Sequence, residues 1–286
     1  MTYIQCVYVG NPHLETHEGG KGKPTEWIVY VVLKRNTQIN NPRALSLPAK
    51  SEILPSSPTM PAPNEIYQYS VINTLAQGIC NDGVPVTQLL TKGDHGLGTL
   101  AKMDGEVTII DGQAYQNTSN GGARTLEPCD VTPFLMTMHF RPTTSVTLPT
   151  LSDETLLDVI AGLCPGSANS FLAIRIEGVF PQIKYRVAGP QCHPYETMAE
   201  VVERQRVGLF ENQRGVVFGF FAPGFTHASS VVGLHLHFLS EDRRVGGHIL
   251  QFTGVDVGLE AAVVRKYTVQ LPETEECSSE VVAEPR

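Results

Sequence analysis

The chain contains 286 residues, of which 41% are hydrophobic and 17% are charged, so a sizeable core is possible and disorder through charge excess is excluded. Its 26 glycines and 20 prolines favour a β-rich fold with many turns over a helical bundle. A formal net charge of −8 argues against nucleic acid or an anionic membrane surface as a partner. No apolar run approaches the roughly 18 residues that a membrane-spanning helix needs.

Cysteine usage and the N-terminal residues bear on the cellular compartment. The six cysteines lie scattered and include no C-x-x-C pair, which is typical of free thiols in a reducing compartment. The first residues lack a basic leader ahead of an apolar block, so we do not expect a secretory signal. The sequence therefore predicts a cytoplasmic protein.

Composition divides the chain into an N-terminal extension and two β-rich parts. Residues 1–63 are rich in proline and glycine, so we expect a poorly structured extension in which residues 27–33 are the one candidate strand. Residues 64–165 and 166–286 are expected to form two mixed-sheet halves with a few short helices. The predicted fold class is α+β.

The predicted elements follow the turn signals along the chain. In order, they are a strand that runs into a short helix (67–75), a helix end (86–91), a hairpin (107–110 and 113–116), a strand (132–140), a helix (152–161), two strands separated by a proline (171–179 and 182–187), a helix (197–206), and four strands (215–221, 233–239, 247–252 and 266–271). Asp111 and Gly112 form the turn of the hairpin, and Ser152 is the expected N-cap of its helix.

Three histidines near the end of the chain form the clearest functional pattern. His235 and His237 are two residues apart in a predicted strand, so their side chains point to the same face. Residues 241–247 are polar and end in two glycines, as a hairpin loop would, and His248 begins the returning strand. Three imidazoles that converge from a hairpin are a suitable ligand set for a catalytic Zn²⁺, which keeps a fourth position open.

A cupin-type metal barrel is one alternative for this pattern. His235, His237 and Glu241 match the H-x-H-x-x-x-E part of the cupin motif. The rest matches poorly, because Ser229 stands where a glycine is expected and no downstream Pro-Gly-x-x-His segment follows. Glu241 is also expected in the loop rather than on the strand. The cupin interpretation therefore remains the minor one.

Five segments spread over residues 67–271 support a different interpretation. They are residues 67–75 (YQYSVINTL), 92–99 (KGDHGLGT), 103–106 (MDGE), 132–134 (TPF) and 233–248, the block with the three histidines. Together they resemble the α-acetolactate decarboxylase family, and the histidine block is close to diagnostic for it. About 200 residues of the chain take part in this resemblance.

The resemblance implies an activity and an assembly. It implies conversion of 2-acetolactate to (R)-acetoin and CO₂ through a zinc-stabilised enediolate, with no organic cofactor. It assigns Zn²⁺ to His235, His237 and His248, and it implies a two-part mixed-sheet fold and a homodimer. A catalytically inactive relative that acts as a binding protein is the alternative from another functional class.

Other family positions carry over one residue at a time. The resemblance places the glutamate of the D-G-E turn at Glu106, the threonine of the G-L-G-T loop at Thr99 and the active-site arginine at Arg186. Thr99 and Arg186 are the expected substrate-binding residues, and an arginine fork suits the departing carboxylate. Glu106 and Arg186 remain the two candidates for delivering the proton to the enediolate. Their presence speaks against an inactive relative.

The C-terminal tail offers a further acid. Family members carry a glutamate in the tail that reaches back to the metal site. Register with the family's valine–glutamate tail assigns this position to Glu284, with Glu280 second. The expected role is that of a metal ligand or a proton relay.

Several other polar residues are expected to be structural. Arg175 resembles Arg186 in its strand-like context and serves as a decoy. His95 is expected near the pocket as a packing variant rather than as a fourth ligand. His139, His193 and His227 are expected to take no part in the chemistry.

Overall fold

The computed structural model describes residues 64–279 and two short strands, β1 (Gln5–Cys6) and β2 (Val31–Val32). The chain forms two units, Met1–Thr59 and Met60–Arg286. In the first unit, β1 pairs antiparallel with β2, which falls within the strand predicted at 27–33. The rest of the predicted extension, up to residue 63, lies outside the described residues.

The second unit consists of strands in runs with a few short helices. Its strands are β3 (Glu65–Tyr69), β4 (Val84–Pro85), β5 (His95–Thr99), β6 (Glu106–Ile110), β7 (Gln113–Asn117), β8 (Ala123–Thr125), β9 (Val131–Thr132), β10 (Phe134–Met138), β11 (Thr144–Ser152), β12 (Phe171–Val187), β13 (Arg206–Ala222), β14 (Gly233–Ser240), β15 (Gly246–Val264) and β16 (Lys266–Gln270). Its helices are α1 (Ile72–Ala76), α2 (Val86–Leu90), α3 (Asp153–Leu163), α4 (Met198–Glu203) and α5 (Glu275–Ser279). The predicted α+β class is confirmed. Between residues 64 and 279, no helix has the length and apolar character needed to cross a membrane.

Two larger sheets organise this unit. The first has the strand order β16-β3-β10-β5-β6-β7-β8 and is mixed, because β16 pairs parallel with β3 whereas the other neighbours pair antiparallel. The second has the order β11-β15-β12-β13-β14 and is antiparallel. A further pairing of β14 with β15 closes β12, β13, β14 and β15 into a ring. The histidine hairpin therefore completes this ring.

Two strands belong to a sheet whose other strands come mostly from the other half of the sequence. β11 precedes residue 165 but belongs to the second sheet, where it pairs with β15. β16 follows residue 165 but belongs to the first sheet, where it pairs with β3. The two sheets therefore do not coincide with the predicted segments 64–165 and 166–286.

The strand β12 is longer than the sequence suggests. Residues 171–179 and 182–187 are predicted as two strands because Pro181 cannot donate a ladder hydrogen bond. The structure instead contains one strand, and its register against β15 shifts between Val179 and Gln182. The irregularity accommodates Pro181, so the strand bends there instead of ending.

A tight hairpin places the first residue of β6 in the site. Asp111 and Gly112 adopt φ angles of 51° and 78°, and such positive values at both central residues are those of a type I′ turn. The turn confirms the predicted hairpin and aligns Glu106 of β6 with Asn117 of β7. Glu106 also lies opposite Thr99 of β5 on its other side.

The two sheets pack against each other through a shared apolar core. Leu97 and Met136 from the first sheet belong to the same buried cluster as Phe218 and Phe220 from β13. A second cluster, which includes Phe238, joins the strands of the ring to α3. The shared core holds β6 against β14, and this contact brings the polar residues of both sheets together.

Gly219 provides a test of the close contact between β13 and β14. A Cβ atom at this position would lie 1.9 Å from the backbone oxygen of His235. We expect Gly219→Ala to lower the free energy of unfolding by about 1–3 kcal/mol, because the strands must separate. Thermal or urea unfolding measures the change.

Gly162 is the matched control. It lies in α3, and a Cβ there would meet no atom within 4 Å. Gly162→Ala should therefore stabilise the protein by about 0.5–1 kcal/mol through higher helix propensity. Equal effects of the two substitutions would contradict the close strand contact.

Candidate metal centre

The pairing of β14 with β15 brings the three predicted histidines together. His235 and His237 are two residues apart on β14 and so share one face of the strand, and His237 lies directly opposite His248 of β15. One ring nitrogen from each histidine lies within 4.8 Å of the others, and all three residues are buried. The centroids of the rings are 5.1–5.4 Å apart. This arrangement confirms the predicted hairpin.

The loop of this hairpin also determines the position of Glu241. Ser240 and Val245 close the loop, since the backbone N–H of Ser240 donates to the carbonyl of Val245 at 2.9 Å. Glu241 lies in the turn after β14, where its Oε1 is 3.3 Å from Nε of the exposed Arg214. Glu241 is therefore not part of the histidine cluster, and the position that the cupin pattern would use as a ligand is turned elsewhere.

The first sheet sets the tautomer of His237. Its Nδ1 lies 2.8 Å from the carbonyl oxygen of Val107 on β6, and a carbonyl oxygen can only accept. Nδ1 therefore carries the proton, and Nε2 presents a lone pair toward the cluster. The hydroxyl of Thr108 is also 3.4 Å from Nδ1, and it accepts a 3.0 Å hydrogen bond from the amide Nδ2 of Asn117.

The three imidazoles fit a metal ion on chemical grounds. Nε2 of His237 and the Nδ1 atoms of His235 and His248 are buried and have no hydrogen-bond partner. Burial lowers the pKa of His237 to about 3 and lowers the pKa values of His235 and His248 well below the ordinary value. The rings are therefore neutral near pH 7. Neutral imidazoles whose ring nitrogens converge are the form in which histidine binds metal.

Glu106 lies beside the histidine cluster. Its Oε2 is 3.6 Å from Nε2 of His237, and its Oε1 accepts a 3.4 Å hydrogen bond from the backbone N–H of Ala188. The contact with His237 is not an ion pair, because that imidazole is neutral. Burial raises the pKa of Glu106, whereas the positive charge of Arg186 acts in the opposite direction.

One cavity is lined by several of these groups. Its polar lining consists of Thr99, Glu106, Arg186 and His235. The remaining wall is mainly apolar and comes largely from α1, α4 and the neighbouring strands: Ile72, Leu75, Gly98, Met103, Phe134, Ala188, Met198, Val201, Val202 and Val231. An apolar cavity with a few convergent polar groups is typical of a small-molecule site.

Thr99 has a defined structural contact in addition to its place on the cavity wall. Its hydroxyl donates to the carbonyl oxygen of Gly105 at 2.7 Å. This bond ties β5 to the turn immediately before Glu106. The hydroxyl oxygen keeps acceptor capacity toward the cavity.

The two arginines that the sequence distinguishes occupy different environments. Arg186 lines the cavity, and its Nη1 donates to Oε1 of Gln205 at 3.2 Å. Arg175 forms ion pairs with Glu177 at 2.9 Å and with Glu260 at 3.5 Å. The charge of Arg175 is therefore already compensated by two carboxylates on its own sheet.

The other histidines of residues 64–279 lie outside the cluster. His95 packs against Phe140 and Phe218, with ring centroids 5.4 and 5.0 Å away, and its Nδ1 contacts Asp94 at 2.8 Å. It is not among the described residues that line the cavity. His139, His193 and His227 are exposed.

The predicted tail glutamates, Glu280 and Glu284, lie outside the described residues. The last described element is α5, and Glu276 on this helix accepts hydrogen bonds from the backbone N–H and the side-chain amide of Asn81 at 2.9 and 2.7 Å. Those bonds fasten α5 to the segment that follows α1.

The sequence did not predict the residues that hold the histidine ligand His237 in place. The carbonyl of Val107 on β6 binds His237 directly, and Asn117 on β7 acts on it through Thr108; both strands lie more than a hundred residues from His237 in sequence. The apolar wall from α4 was also missed as a functional feature. The helix itself was predicted, but its six residues give no clear signal of which face meets a cavity.

The cluster predicts which histidine is needed for metal binding. We expect His237→Ala to retain less than a tenth of the metal bound by the parent protein, because one converging lone pair is lost. His193→Ala is the control, since His193 is exposed and its Nδ1 contacts only the carbonyl of Pro194 in the described structure. Metal content by mass spectrometry after dialysis measures both. Equal metal contents would show that the cluster is not the metal site.

Comparisons with known proteins agree on one family. A family model described as alpha-acetolactate decarboxylase matches residues 66–283. The alpha-acetolactate decarboxylase of Brevibacillus brevis is 35% identical over 230 residues, which cover 80% of this chain and 81% of that protein. The enzyme of that name from Bacillus subtilis strain 168 is 32% identical over 212 residues, covering 74% and 83%.

Solved structures give the same answer. The crystal structure of alpha-acetolactate decarboxylase from Bacillus subtilis strain 168 superimposes with a TM-score of 0.74 at 31% identity, covering 77% of this chain and 94% of that one. A Staphylococcus aureus protein described as similar to alpha-acetolactate decarboxylase gives 0.73 at 28% identity, covering 76% and 94%. The sequence match over most of the chain and the shared fold establish that this chain belongs to the alpha-acetolactate decarboxylase family.

Proposed function

We propose that this protein decarboxylates 2-acetolactate to (R)-acetoin and CO₂, with a Zn²⁺ held by His235, His237 and His248. Membership of the family supports the reaction. The observation that carries the proposal is a single cavity lined by one of the three clustered histidines, by Glu106 and by Arg186. Metal ligand, acid and cation thus face the same space.

The chemistry sets three demands on the site. The substrate is a β-keto acid, so breaking its C–CO₂ bond leaves the electron pair on an enediolate, which must then accept a proton on carbon. A bound Zn²⁺ would act as a Lewis acid for the charge on the substrate oxygens, and such stabilisation is worth several kcal/mol. The chain itself must bind the carboxylate, shield the reacting carbon from water and supply the proton.

Arg186 is the residue that we assign to the substrate carboxylate. Its guanidinium offers N–H donors in a planar fork that matches two carboxylate oxygens. The apolar wall of the cavity lowers the local dielectric, which strengthens this attraction. Held in this way, the carboxylate keeps the scissile bond in one orientation.

Glu106 is the residue that we assign to proton delivery. Burial favours its neutral form, and its Oε2 faces the histidine cluster at 3.6 Å from Nε2 of His237. A proton released from one side of the cavity reaches one face of the enediolate, which accounts for a single product hand. Thr99 is assigned to substrate binding through its free acceptor lone pair, and Glu284 of the tail to a ligand or relay role.

We further propose that the enzyme is a homodimer that works in the cytoplasm. The dimer rests on the family. The compartment is supported by the cysteines, since Cys80, Cys129, Cys164, Cys192 and Cys277 are all free thiols in the described structure.

Acetoin formation is the direct test of the proposed reaction. The purified protein is given racemic 2-acetolactate, and acetoin is measured by chiral gas chromatography before chelation, after chelation and after Zn²⁺ is added back. We expect (R)-acetoin from the untreated protein, the spontaneous background after chelation, and recovery with zinc. No acetoin above background from protein with demonstrably bound zinc would reject the enzyme and favour the binding-protein alternative.

Substitution of the two arginines tests the assignment of the carboxylate. We expect Arg186→Lys to retain metal but to lose at least tenfold in kcat/KM, about 1.4 kcal/mol, because an ammonium cannot reproduce the fork. Arg175→Lys should keep the parent kinetics, since Arg175 lies in an ion-pair cluster on the sheet. An inactive Arg175→Lys beside an active Arg186→Lys would reverse the two roles.

A further inference from the structure

The environment of Arg186 differs from that of Arg124, Arg175 and Arg204, each of which pairs with a carboxylate. Arg204 pairs with Glu196, Arg124 pairs with Asp130, and Arg175 pairs with two glutamates. Within residues 64–279, no carboxylate oxygen approaches a nitrogen of Arg186 to 4.0 Å. The one hydrogen bond described for its guanidinium is to the neutral amide oxygen of Gln205, at 3.2 Å.

Two elements place Gln205 in this position. It follows α4, and its backbone N–H donates to the carbonyl oxygen of Val202 at 3.2 Å in the last turn. The next residue, Arg206, begins β13 and pairs with Val187, the residue after Arg186. Gln205 is therefore held between a helix that lines the cavity and β13, the strand that pairs with β12, which carries Arg186.

We propose that Gln205 is a positioning residue that orients the Arg186 guanidinium while leaving its charge available to an anionic substrate. An amide oxygen accepts one N–H and fixes the direction of the fork, but it carries no net charge. A carboxylate at the same distance would form a bidentate, charge-assisted pair and occupy the donors that the substrate needs. The identity of residue 205 thus controls the affinity of the cavity for carboxylates. This inference rests on the proposed function of Arg186.

Gln205→Glu is the decisive variant, because it replaces the amide with a nearly isosteric carboxylate. We expect KM for 2-acetolactate to rise at least tenfold while kcat changes less than threefold and metal content stays at the parent level. Gln213→Glu is the matched control, since it adds the same charge on β13, where the side chain contacts the carbonyl of Glu211. It should leave both constants unchanged.

A second variant separates positioning from charge. Gln205→Leu nearly preserves the side-chain volume but removes the hydrogen-bond acceptor. The guanidinium of Arg186 therefore loses its orientation without gaining a carboxylate that competes with the substrate. We expect this variant to lower kcat at least threefold, with a smaller rise in KM than in Gln205→Glu. A purely structural role would instead lower the melting temperature of both variants together and leave no difference between their KM values.

A binding measurement keeps the inference distinct from the proposed reaction. The dissociation constant of the unreactive carboxylate 2-hydroxy-2-methylpropanoate is measured by calorimetry on the metal-loaded parent and on both variants. We expect at least tenfold weaker binding to Gln205→Glu, whether or not the parent makes acetoin. Unchanged binding and unchanged KM in that variant would overturn the role of Gln205, whereas an inactive parent that binds the carboxylate would overturn only the reaction.

Discussion

The antiparallel pairing of β14 with β15 is the constraint on which the site depends. A shift of the register by one residue would turn His248 to the opposite face and remove it from His235 and His237. The short loop of residues 241–245 and the closure of the four-stranded ring both hold this register. Gly219 of β13 supports the same arrangement from the other side, because it lets the backbone of β14 approach closely. The position of the imidazoles is thus a property of strand pairing rather than of flexible side chains.

The second sheet supplies the three imidazoles, and the first sheet fixes the tautomer of one of them, His237. The carbonyl of Val107 fixes the proton on Nδ1 of His237, and Glu106, one residue earlier, presents its carboxyl group to the same cluster. Both depend on β6, which the shared apolar core holds against β14. The core therefore acts on the chemistry as well as on stability. If the packing between the sheets were lost, His237 would lose the carbonyl that fixes its tautomer, and Glu106 would lose its position beside the cluster at the same time.

The sequence predicts local features of this structure well and long-range features poorly. Alternation along residues 233–239 and the Gly-Gly signal were enough to predict the hairpin, because strand geometry fixes side-chain direction. The turn at Asp111 and Gly112 was predicted for the same local reason. The crossing of β11 and β16 between sheets was not, because strand partners are chosen by packing over more than a hundred residues. Pro181 was read as a break, although a register shift lets the long strand continue.

Supporting residues such as Asn117 and Gln205 show why site prediction is harder than motif prediction. Asn117 acts through hydrogen bonds to the carbonyl of Glu106 and the hydroxyl of Thr108, and Gln205 acts through one hydrogen bond to Arg186. Neither residue carries a charge that would single it out in the sequence. The absence of charge on Gln205 also affects the electrostatics of the cavity. The chain has a net charge of −8, yet the cavity needs to attract an anion. It can do so because burial favours the neutral form of Glu106 and the hydrogen-bond partner of Arg186 is a neutral amide. Within residues 64–279, no carboxylate oxygen lies within 4.0 Å of a nitrogen of Arg186, so the substrate carboxylate can become its nearest counter-ion.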